Sequence, residues 1–258
     1  MPPLTVAVLG LGEAGSAIAG DLVAAGASVR GFDPAVSDPP PGVELETDAR
    51  AAASACEVVL SVNAATIAVE VARSAADGLG ADQVYADLNT AGPALKRAVA
   101  EVIAPTGAAF ADVALMAPVP GRGLRTPALA SGPGADELAA RLGSLGMPVE
   151  VLGSEPGAAA ARKLLRSVFT KGLAAACIES VRAARAAGCE DWMRAEIGEV
   201  LDAALLERLL TGSERHATRR IHEVRDAREL LAELGVEPRV VTAAEGWLAA
   251  LEREGAAT

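Results

Sequence analysis

Three glycines near the start of the chain have the spacing of a phosphate-binding turn. They belong to the segment Gly10-Leu11-Gly12-Glu13-Ala14-Gly15, which follows an apolar run and leads directly into a helical segment. In such a turn the first glycine permits a tight bend, the second lets a pyrophosphate approach the backbone, and the third lets the helix pack closely on the strand. The helix N-terminus adds unpaired N–H groups and a partial positive charge. The motif predicts a dinucleotide site; a glycine-rich turn without a ligand is the alternative.

An acidic residue follows at the distance expected for a ribose ligand. Asp33 comes directly after a second predicted strand, Ser28–Phe32, close to the offset of about 20 residues typical of such sites. Its carboxylate can accept hydrogen bonds from both ribose hydroxyls and would repel the 2′-phosphate of NADP. No arginine or lysine occurs over Pro34–Ala49 to neutralise that phosphate, and Arg30 lies within the strand. We therefore expect NAD to be favoured over NADP.

Polar side chains recur on one face of a long helical segment that runs from about Gly157 to Ala187. Steps of three, four, seven and eight residues place them together; they are Lys163, Arg166, Ser167, Thr170 and Lys171. One interpretation is a solvated face, and the other is a cleft wall that receives an anionic substrate. In a cleft, desolvation and neighbouring cations would favour the neutral amine of Lys163, which can then take up or release a hydroxyl proton.

The segments that must position these residues fall into two halves. Up to about Gly153, short β-branched runs alternate with helical segments, which predicts βαβ units and a mainly parallel, doubly wound sheet. The expected strands are Leu4–Leu9, Ser28–Phe32, Glu57–Val62, Gln83–Asp87, Ala108–Ala114, Ala128–Ser131 and Val149–Leu152, with Asp38–Gly42 as a loop.

The second half is expected to be entirely helical. After the long segment, helices are predicted over Asp191–Leu210, over Glu214–Leu234 with Ser213 as N-cap, and from about Arg239 to Glu252. The predicted fold class is therefore α/β, with a Rossmann-type, doubly wound domain at 1–154 and an all-α domain at 155–258, joined by the long helix. The alanine- and leucine-rich helices of the second domain bury little surface by themselves, so we expect a homodimer that associates through them.

Composition excludes several classes of partner. A net charge of −11 and a pI near 4.8 argue against nucleic acid and anionic membrane surfaces. No apolar run approaches the ~20 residues of a membrane span, and the first residues lack a signal peptide's basic region, so we expect a cytoplasmic protein. The cysteines are scattered and His216 and His222 lie six residues apart; no metal site is predicted.

Together these motifs resemble those of the β-hydroxyacid dehydrogenase family, which includes 3-hydroxyisobutyrate dehydrogenase and 6-phosphogluconate dehydrogenase. Val8–Gly15 is similar to the family's glycine signature, Asp87–Pro93 to its D-x-S-T-x-x-P segment beside the nicotinamide, and Ala117–Arg122 to its A-P-V-S-G-G substrate loop. Gly157–Ser167 resembles the G-x-x-x-K-x-x-N-N helix motif, and the region from His222 to Pro238 is similar to the family's late K-D-L…G-x-x-x-P segment. The resemblance covers almost the whole chain.

The resemblance implies an NAD(P)-dependent dehydrogenase or reductase with Lys163 as the general acid/base. Thr90 would lie beside the nicotinamide, although it can equally serve as a helix cap; Asn63, which follows the third strand, either approaches the cofactor or is a turn residue. Substrate binding falls to Gly121, Arg122, Arg166, Ser167 and Lys171.

Departures from the family pattern affect the substrate. Pro120 and Arg122 replace the serine and second glycine of the loop, while Arg166 and Ser167 replace two asparagines. Proline has no N–H to offer a carboxylate, whereas the two arginines can bind a carboxylate or phosphate in bidentate fashion. We expect a small anionic hydroxy acid or its carbonyl counterpart. The alternatives are an imine reductase of the same fold and a non-catalytic, dinucleotide-binding regulatory subunit.

Overall fold

The computed structural model describes residues 2–256, and the chain divides after Lys163 into two compact units. The first unit contains one eight-stranded sheet. Its strands are β1 (Thr5–Leu9), β2 (Ser28–Phe32), β3 (Val43–Leu45), β4 (Val58–Ser61), β5 (Val84–Asp87), β6 (Ala109–Leu115), β7 (Ala128–Ser131) and β8 (Val149–Val151).

The order of the strands creates a crevice at one edge of this sheet. The order is β3-β2-β1-β4-β5-β6-β7-β8, and all neighbouring pairs are parallel except β6 and β7. Successive connections run outward in opposite directions from the β1–β4 pair. In open α/β sheets such a switch point leaves a crevice at the carboxyl ends of the strands, where ligands bind.

Helices cover both faces of the sheet, which confirms the doubly wound architecture. They are α1 (Glu13–Ala24), α2 (Ala49–Ala53), α3 (Ala68–Ala76), α4 (Pro93–Ile103) and α5 (Ala135–Gly143). Val6 and Val8 of β1 pack in one core with α1 and α5, whereas Ala7 and Leu9 pack in the other with α2, α3 and α4. This alternation follows from the two-residue period of a strand, whose successive side chains point to opposite faces.

The second unit is helical. The long helix α6 (Ala158–Ala186) crosses the division between the units, and α7 (Glu190–Val200), α8 (Ala203–Arg215), α9 (Ala217–Glu233) and α10 (Arg239–Ala256) follow. An apolar cluster that includes Cys177, Ile178, Leu206 and Leu251 joins α6, α8 and α10. Within residues 2–256 the structure contains no helix with the length and apolarity needed to cross a membrane.

Several boundaries differ from those expected. The strand β3 and the short helix α2 follow the Asp38–Gly42 loop, where the sequence patterns predicted neither. The helix predicted over Asp191–Leu210 is wrong, because it breaks before Asp202, whose carboxylate accepts the Leu205 N–H at 2.7 Å and caps α8.

The prediction of Ser213 as an N-cap is also wrong. This residue lies inside α8, where its hydroxyl donates to the carbonyl of Leu209 at 2.7 Å. The change of helix occurs three residues later, at His216, which has non-helical backbone angles.

Candidate active site

Two glycines of the N-terminal turn are required by the fold itself. Gly10 has φ +100° and its N–H donates to the carbonyl of Phe32 at 2.8 Å. A Cβ on Gly10 would collide with the carbonyl oxygen of Val62, and one on Gly15 would collide with that of Gly10. Gly10 therefore permits the sharp turn at the end of β1, and Gly15 permits the close packing of α1 on that turn.

Gly12 is different, because no contact among residues 2–256 requires a glycine there. Its φ of −66° suits any residue, and a Cβ there would have nothing within 4 Å among the described residues. As the N-cap of α1, it also has no side chain with which to occupy the N–H groups of the first turn. Open space in front of a helix N-terminus is what a pyrophosphate needs, so this turn fits a dinucleotide.

Asp33 is fixed beside the same turn. One carboxylate oxygen accepts the N–H of Leu11 at 2.8 Å and the other accepts the N–H of Ala35 at 2.9 Å. The side chain is half-buried at the end of β2, where each oxygen keeps further acceptor capacity for a ribose hydroxyl.

Arg30 is half-buried and is already paired within the unit. Its guanidinium donates to the carbonyl oxygens of Ala51 at 3.1 Å and Ser54 at 3.0 Å, and it lies 3.0 Å from the carboxylate of Glu46. These contacts hold the cation against α2 and the segment that follows β3.

Hydrogen bonds tie together the ends of β4 and β5. The N–H of Asn63 donates to the side-chain oxygen of Asn89, and both side-chain amides donate to the hydroxyl of Ser61, at 2.8 Å from Asn63 and 3.2 Å from Asn89. Asn63 also lies against Gly10. The carboxyl ends of three neighbouring strands thus form one connected edge.

The structure brings Lys163 and Thr90 together. Thr90 lies in the loop between β5 and α4, one residue after Asn89, and the amine of Lys163 donates to its hydroxyl at 2.8 Å. The two residues are 73 positions apart in the chain, and both are half-buried. A lysine amine and a hydroxyl therefore meet beside the edge that carries the glycine turn.

The first turn of α6 is attached to the sheet at its own N–H groups. The N–H of Ala159 donates to the hydroxyl of Ser131 at 3.0 Å, and the N–H of Ala160 donates to the carboxylate of Asp112 at 3.0 Å. Just before the helix, Gly157 has φ +96° and packs against Pro93, the first residue of α4. These contacts fix the start of the helix that carries Lys163.

A buried cluster of three charged residues lies beneath this edge. The amine of Lys96 is 3.5 Å from the carboxylate of Asp87, 3.3 Å from that of Asp112 and 2.8 Å from the carbonyl oxygen of Asp87. Each residue is at most 1% exposed. Burial raises the pKa of the Asp87 carboxyl above its ordinary value, and the neighbouring Lys96 cation opposes that shift.

Sequence reasoning missed Lys96, Asp112 and Asn89. Two signals were present: Lys96 lies three residues after Pro93 and three before Val99 on the buried face of α4, and Asp112 interrupts the apolar run of β6. A charged residue on a buried face needs a partner, so each signal indicates that an opposite charge lies nearby.

The loop with Gly121 and Arg122 is exposed and is anchored to α1. A carboxylate oxygen of Asp21 accepts the N–H of Leu124 at 2.9 Å, and Gly123, with φ +51°, packs against the same carboxylate. The helix that begins at the glycine turn therefore also holds the loop expected to bind the substrate.

The polar stripe of α6 is not uniform. In the second unit Arg166 is exposed, Ser167 is buried, and Lys171 lies 3.1 Å from the carboxylate of Glu223. Burial lowers the pKa of Lys171, and the Glu223 carboxylate opposes the shift. Lys171 thus has an internal partner on α9, which the stripe did not predict.

The comparisons with known proteins agree with this fold and turn. Residues 5–125 match the NAD binding domain of 6-phosphogluconate dehydrogenase, and residues 184–251 match a domain of unknown function, DUF1932. A conserved hypothetical protein from Sinorhizobium meliloti is 32% identical, with a TM-score of 0.78 over 95% of this chain and 87% of its own. A conserved protein of unknown function, described as structurally similar to 3-hydroxyacid dehydrogenases, is 29% identical, with a TM-score of 0.74 over 98% and 99%.

A solved enzyme has the same fold. The 3-hydroxyisobutyrate dehydrogenase of Mycobacterium tuberculosis, determined with L-serine, superposes with a TM-score of 0.80 over 98% of this chain and 95% of its own, at 18% identity. Residues 5–125 are therefore an NAD(P)-binding domain, and the chain as a whole has the fold of dinucleotide-dependent dehydrogenases. It belongs to the β-hydroxyacid dehydrogenase family, with a variant helical domain at the C-terminal end.

Gly12 provides a direct test of the turn. The substitution Gly12→Ala places a methyl group in open space, so we expect the free energy of unfolding to change by less than about 1 kcal/mol. Affinity for NADH or NADPH should fall at least tenfold, because the methyl group occupies the path of the pyrophosphate. Calorimetric titration and thermal unfolding measure the two effects.

The matched control is Gly198→Ala in α7, where a Cβ likewise meets nothing within 4 Å among the described residues. It should leave dinucleotide affinity unchanged. If Gly12→Ala binds both dinucleotides as tightly as the unaltered protein, the turn does not hold the pyrophosphate.

Proposed function

We propose that this protein transfers hydride between a nicotinamide cofactor and a small anionic hydroxy acid, or the matching carbonyl compound, with Lys163 as the general acid/base. The observation that carries the proposal is the 2.8 Å hydrogen bond from Lys163 to Thr90, next to the connected edge of β1, β4 and β5. An amine in this place can reach a hydroxyl oxygen of a substrate bound over the same edge.

In this proposal the cofactor is held by the glycine turn and its neighbours. The residues are Gly10, Leu11, Gly12, Glu13, Ala14, Gly15, Asp33, Asn63 and Thr90. The nicotinamide supplies or accepts the hydride once the cofactor is bound. The chain's own tasks are to orient that ring, to bind the substrate and to move one proton.

Lys163 carries the proton. During oxidation its neutral amine takes the proton of the substrate hydroxyl while the C–H bond breaks and the C=O bond forms. During reduction the protonated amine returns the proton to the carbonyl oxygen. Thr90 Oγ accepts a hydrogen bond from the amine, which fixes the amine's direction before the substrate arrives.

The anionic group of the substrate is assigned, from the sequence motifs, to Gly121 and Arg122 of the first unit and to Arg166 and Ser167 of the second. Both arginines are exposed, and a guanidinium can bind a carboxylate or a phosphate with two parallel hydrogen bonds. Pro120 has no backbone N–H to donate to the anion, so in this proposal side chains supply the hydrogen bonds. Lys171 belongs to the same proposed substrate-binding set, and its amine already pairs with Glu223.

The cofactor is proposed to be NAD in preference to NADP. A 2′-phosphate beside Asp33 would face a carboxylate, and Glu44 and Glu46 add negative charge around Arg30. The contacts of Arg30 with two carbonyl oxygens and Glu46 engage the cation closest in sequence to Asp33. The local field therefore favours a ribose with free hydroxyls.

The second unit is proposed to form a homodimer. Several of its large apolar side chains are exposed in the single chain, among them Phe169, Trp192 and Val200, at 69%, 58% and 83%. A second copy that covered them would remove this apolar surface from water.

Replacement of Lys163 tests the chemistry. Lys163→Met keeps most of the side-chain volume and removes the amine, so we expect turnover to fall by about a thousandfold or more while NADH affinity stays within about twofold. The measurement is NADH oxidation or NAD⁺ reduction with short 3-hydroxy acids, including L-serine and 3-hydroxyisobutyrate, with 6-phosphogluconate and with preformed imines. Arg162→Met, an exposed cation one residue earlier in α6, is the matched control.

The outcomes separate the three candidate functions. Turnover of hydroxy acids that depends on Lys163 supports the proposal, and turnover of imines alone identifies an imine reductase. A protein that binds NADH but consumes it with no carbonyl or imine substrate is a dinucleotide-binding regulator. Full activity in Lys163→Met would contradict the role given to the lysine.

Cofactor preference has its own test. We expect NADPH to bind at least tenfold more weakly than NADH, because Asp33 repels the additional phosphate. Asp33→Asn keeps the shape and removes the charge, so the ratio of the two dissociation constants should shrink, whereas Asp38→Asn, an exposed acid in the next loop, should leave it unchanged. NADPH binding tenfold tighter than NADH would overturn the assignment.

The homodimer is tested by mass. Light scattering after gel filtration at micromolar concentration should give twice the 25.9 kDa of the chain. Mutation of Val200 to Asp places a charge on an exposed apolar position and should shift the mass toward the monomer if that position lies in the interface. A monomer mass for the unaltered protein would refute the proposal.

A further inference from the structure

The two partners of the Lys163–Thr90 hydrogen bond are attached to the same buried charges. On the side of Thr90, the carboxylate of Asp87 accepts the N–H of Asn89 at 2.9 Å. On the side of Lys163, the carboxylate of Asp112 accepts the N–H of Ala160 at 3.0 Å, three residues before the lysine on α6. The loop and the helix therefore each rest on one of two carboxylates.

Lys96 joins these carboxylates. Its amine lies 3.5 Å from Asp87 Oδ2 and 3.3 Å from Asp112 Oδ1, and it donates to the backbone carbonyl of Asp87 at 2.8 Å. In Asp112 the two oxygens have separate tasks, since Oδ1 faces Lys96 while Oδ2 accepts from Ala160 and, at 3.2 Å, from Ser131. A continuous path thus runs from Asn89 to the first turn of α6.

Stability alone does not explain this cluster. Removing two carboxylates and an ammonium from water is costly, and well-packed apolar side chains usually stabilise a core at least as well as buried ion pairs do. Directional hydrogen bonds, however, specify one arrangement of the elements that they join. The cluster therefore fixes the relative position of two elements from distant parts of the chain, the loop after β5 and the start of α6.

We propose that Asp112, Lys96 and Asp87 are positioning residues that hold the amine of Lys163 against Thr90. The acid/base role of Lys163 belongs to the proposed function, but the positioning itself does not depend on that role. Because a misplacement of about 1 Å at a reacting group can cost about a hundredfold in rate, a loss of this network would act on turnover through Lys163 rather than on cofactor affinity.

The chain offers an unusually direct measurement, since Lys96, Lys163 and Lys171 are its only lysines. Protein labelled with ¹³C at the lysine Cε gives three signals, which substitution of each lysine assigns. Thr90→Ala defines the position of the Lys163 signal when the hydrogen bond is lost. Asp112→Asn then tests the network, because Lys96 and the N–H of Ala160 contact different oxygens of Asp112, and the substitution replaces one of these oxygens with an NH2 group that cannot accept a hydrogen bond.

We expect the Lys163 signal of Asp112→Asn to move at least halfway toward its position in Thr90→Ala, with the Lys171 signal unchanged. The matched control is Val84→Ala, a fully buried residue at the opposite end of β5 from Asp87; it loses core packing and should leave the Lys163 signal in place. A Lys163 signal in Asp112→Asn that coincides with the unaltered protein overturns the proposal.

Ser131→Ala keeps the test decisive if Asp112→Asn does not fold. It removes the hydroxyl that bonds both Ala159 and Asp112, so the Lys163 signal should move in the same direction by a smaller amount; an unmoved signal in this variant also overturns the proposal. With an active substrate, Asp112→Asn should lower kcat about tenfold or more with the KM for NADH unchanged. If no substrate is turned over, the NMR result still tests whether the network positions Lys163. The proposed function and the positioning proposal can therefore be refuted independently.

Discussion

The N-terminus of α6 depends on a carboxylate that belongs to the sheet. A helix begins with N–H groups that its own backbone cannot satisfy, and here Asp112 of β6 and Ser131 of β7 accept those of Ala160 and Ala159. The attachment couples the helix to two strands at once. Lys163 lies one turn further along α6. The anchoring of the first turn to β6 and β7 therefore also determines where its amine lies.

The edge of the sheet at the glycine turn combines three features: close packing of α1, open space for a ligand and side chains that anchor the turn. Gly10 and Gly15 let α1 approach the sheet so closely that a methyl group would not fit, whereas Gly12 leaves space that the protein does not use. Asp33 holds the turn from one side through the N–H of Leu11, and Asn63, after β4, lies against Gly10 on the other. The glycine turn is therefore rigid on the side of the protein and open on the side of the solvent.

Local patterns were sufficient for most of the architecture. The glycine turn, the alternation of strands and helices and the length of α6 each depend on residues near one another in sequence, and the structure has all three. The strand β3 was missed because it has three residues and pairs only with β2, so it is too short to show a period. The break before Asp202 had a signal, an N-cap aspartate, which the continuous helical composition on both sides concealed.

In the candidate site, too, the residues with a local sequence motif were predicted and those without one were missed. Lys163 and Thr90 were found because their neighbours in sequence resemble family motifs, not because the pattern places them in contact across 73 residues. The cluster of Asp87, Lys96 and Asp112 has no such motif, and its long-range contacts, such as that between Asp112 and Ala160, span 48 residues. Each member alone is only a charged residue in an apolar segment, and its meaning depends on a partner that the local sequence does not contain.

The lysines and arginines of the proposed site differ in where they lie and in what they contact. Although the net charge is −11, the chain has three lysines and twenty arginines. All three lysines contact internal partners, namely two aspartates, a threonine and a glutamate, while the two cations assigned to the substrate's anionic group, Arg122 and Arg166, are exposed arginines. A compact ammonium on a flexible stem suits a buried pair or a proton carrier, whereas a planar guanidinium suits an anion that arrives from solvent. In the proposed site, Lys96 and Lys163 thus organise or perform the chemistry, and the exposed Arg122 and Arg166 would receive the substrate.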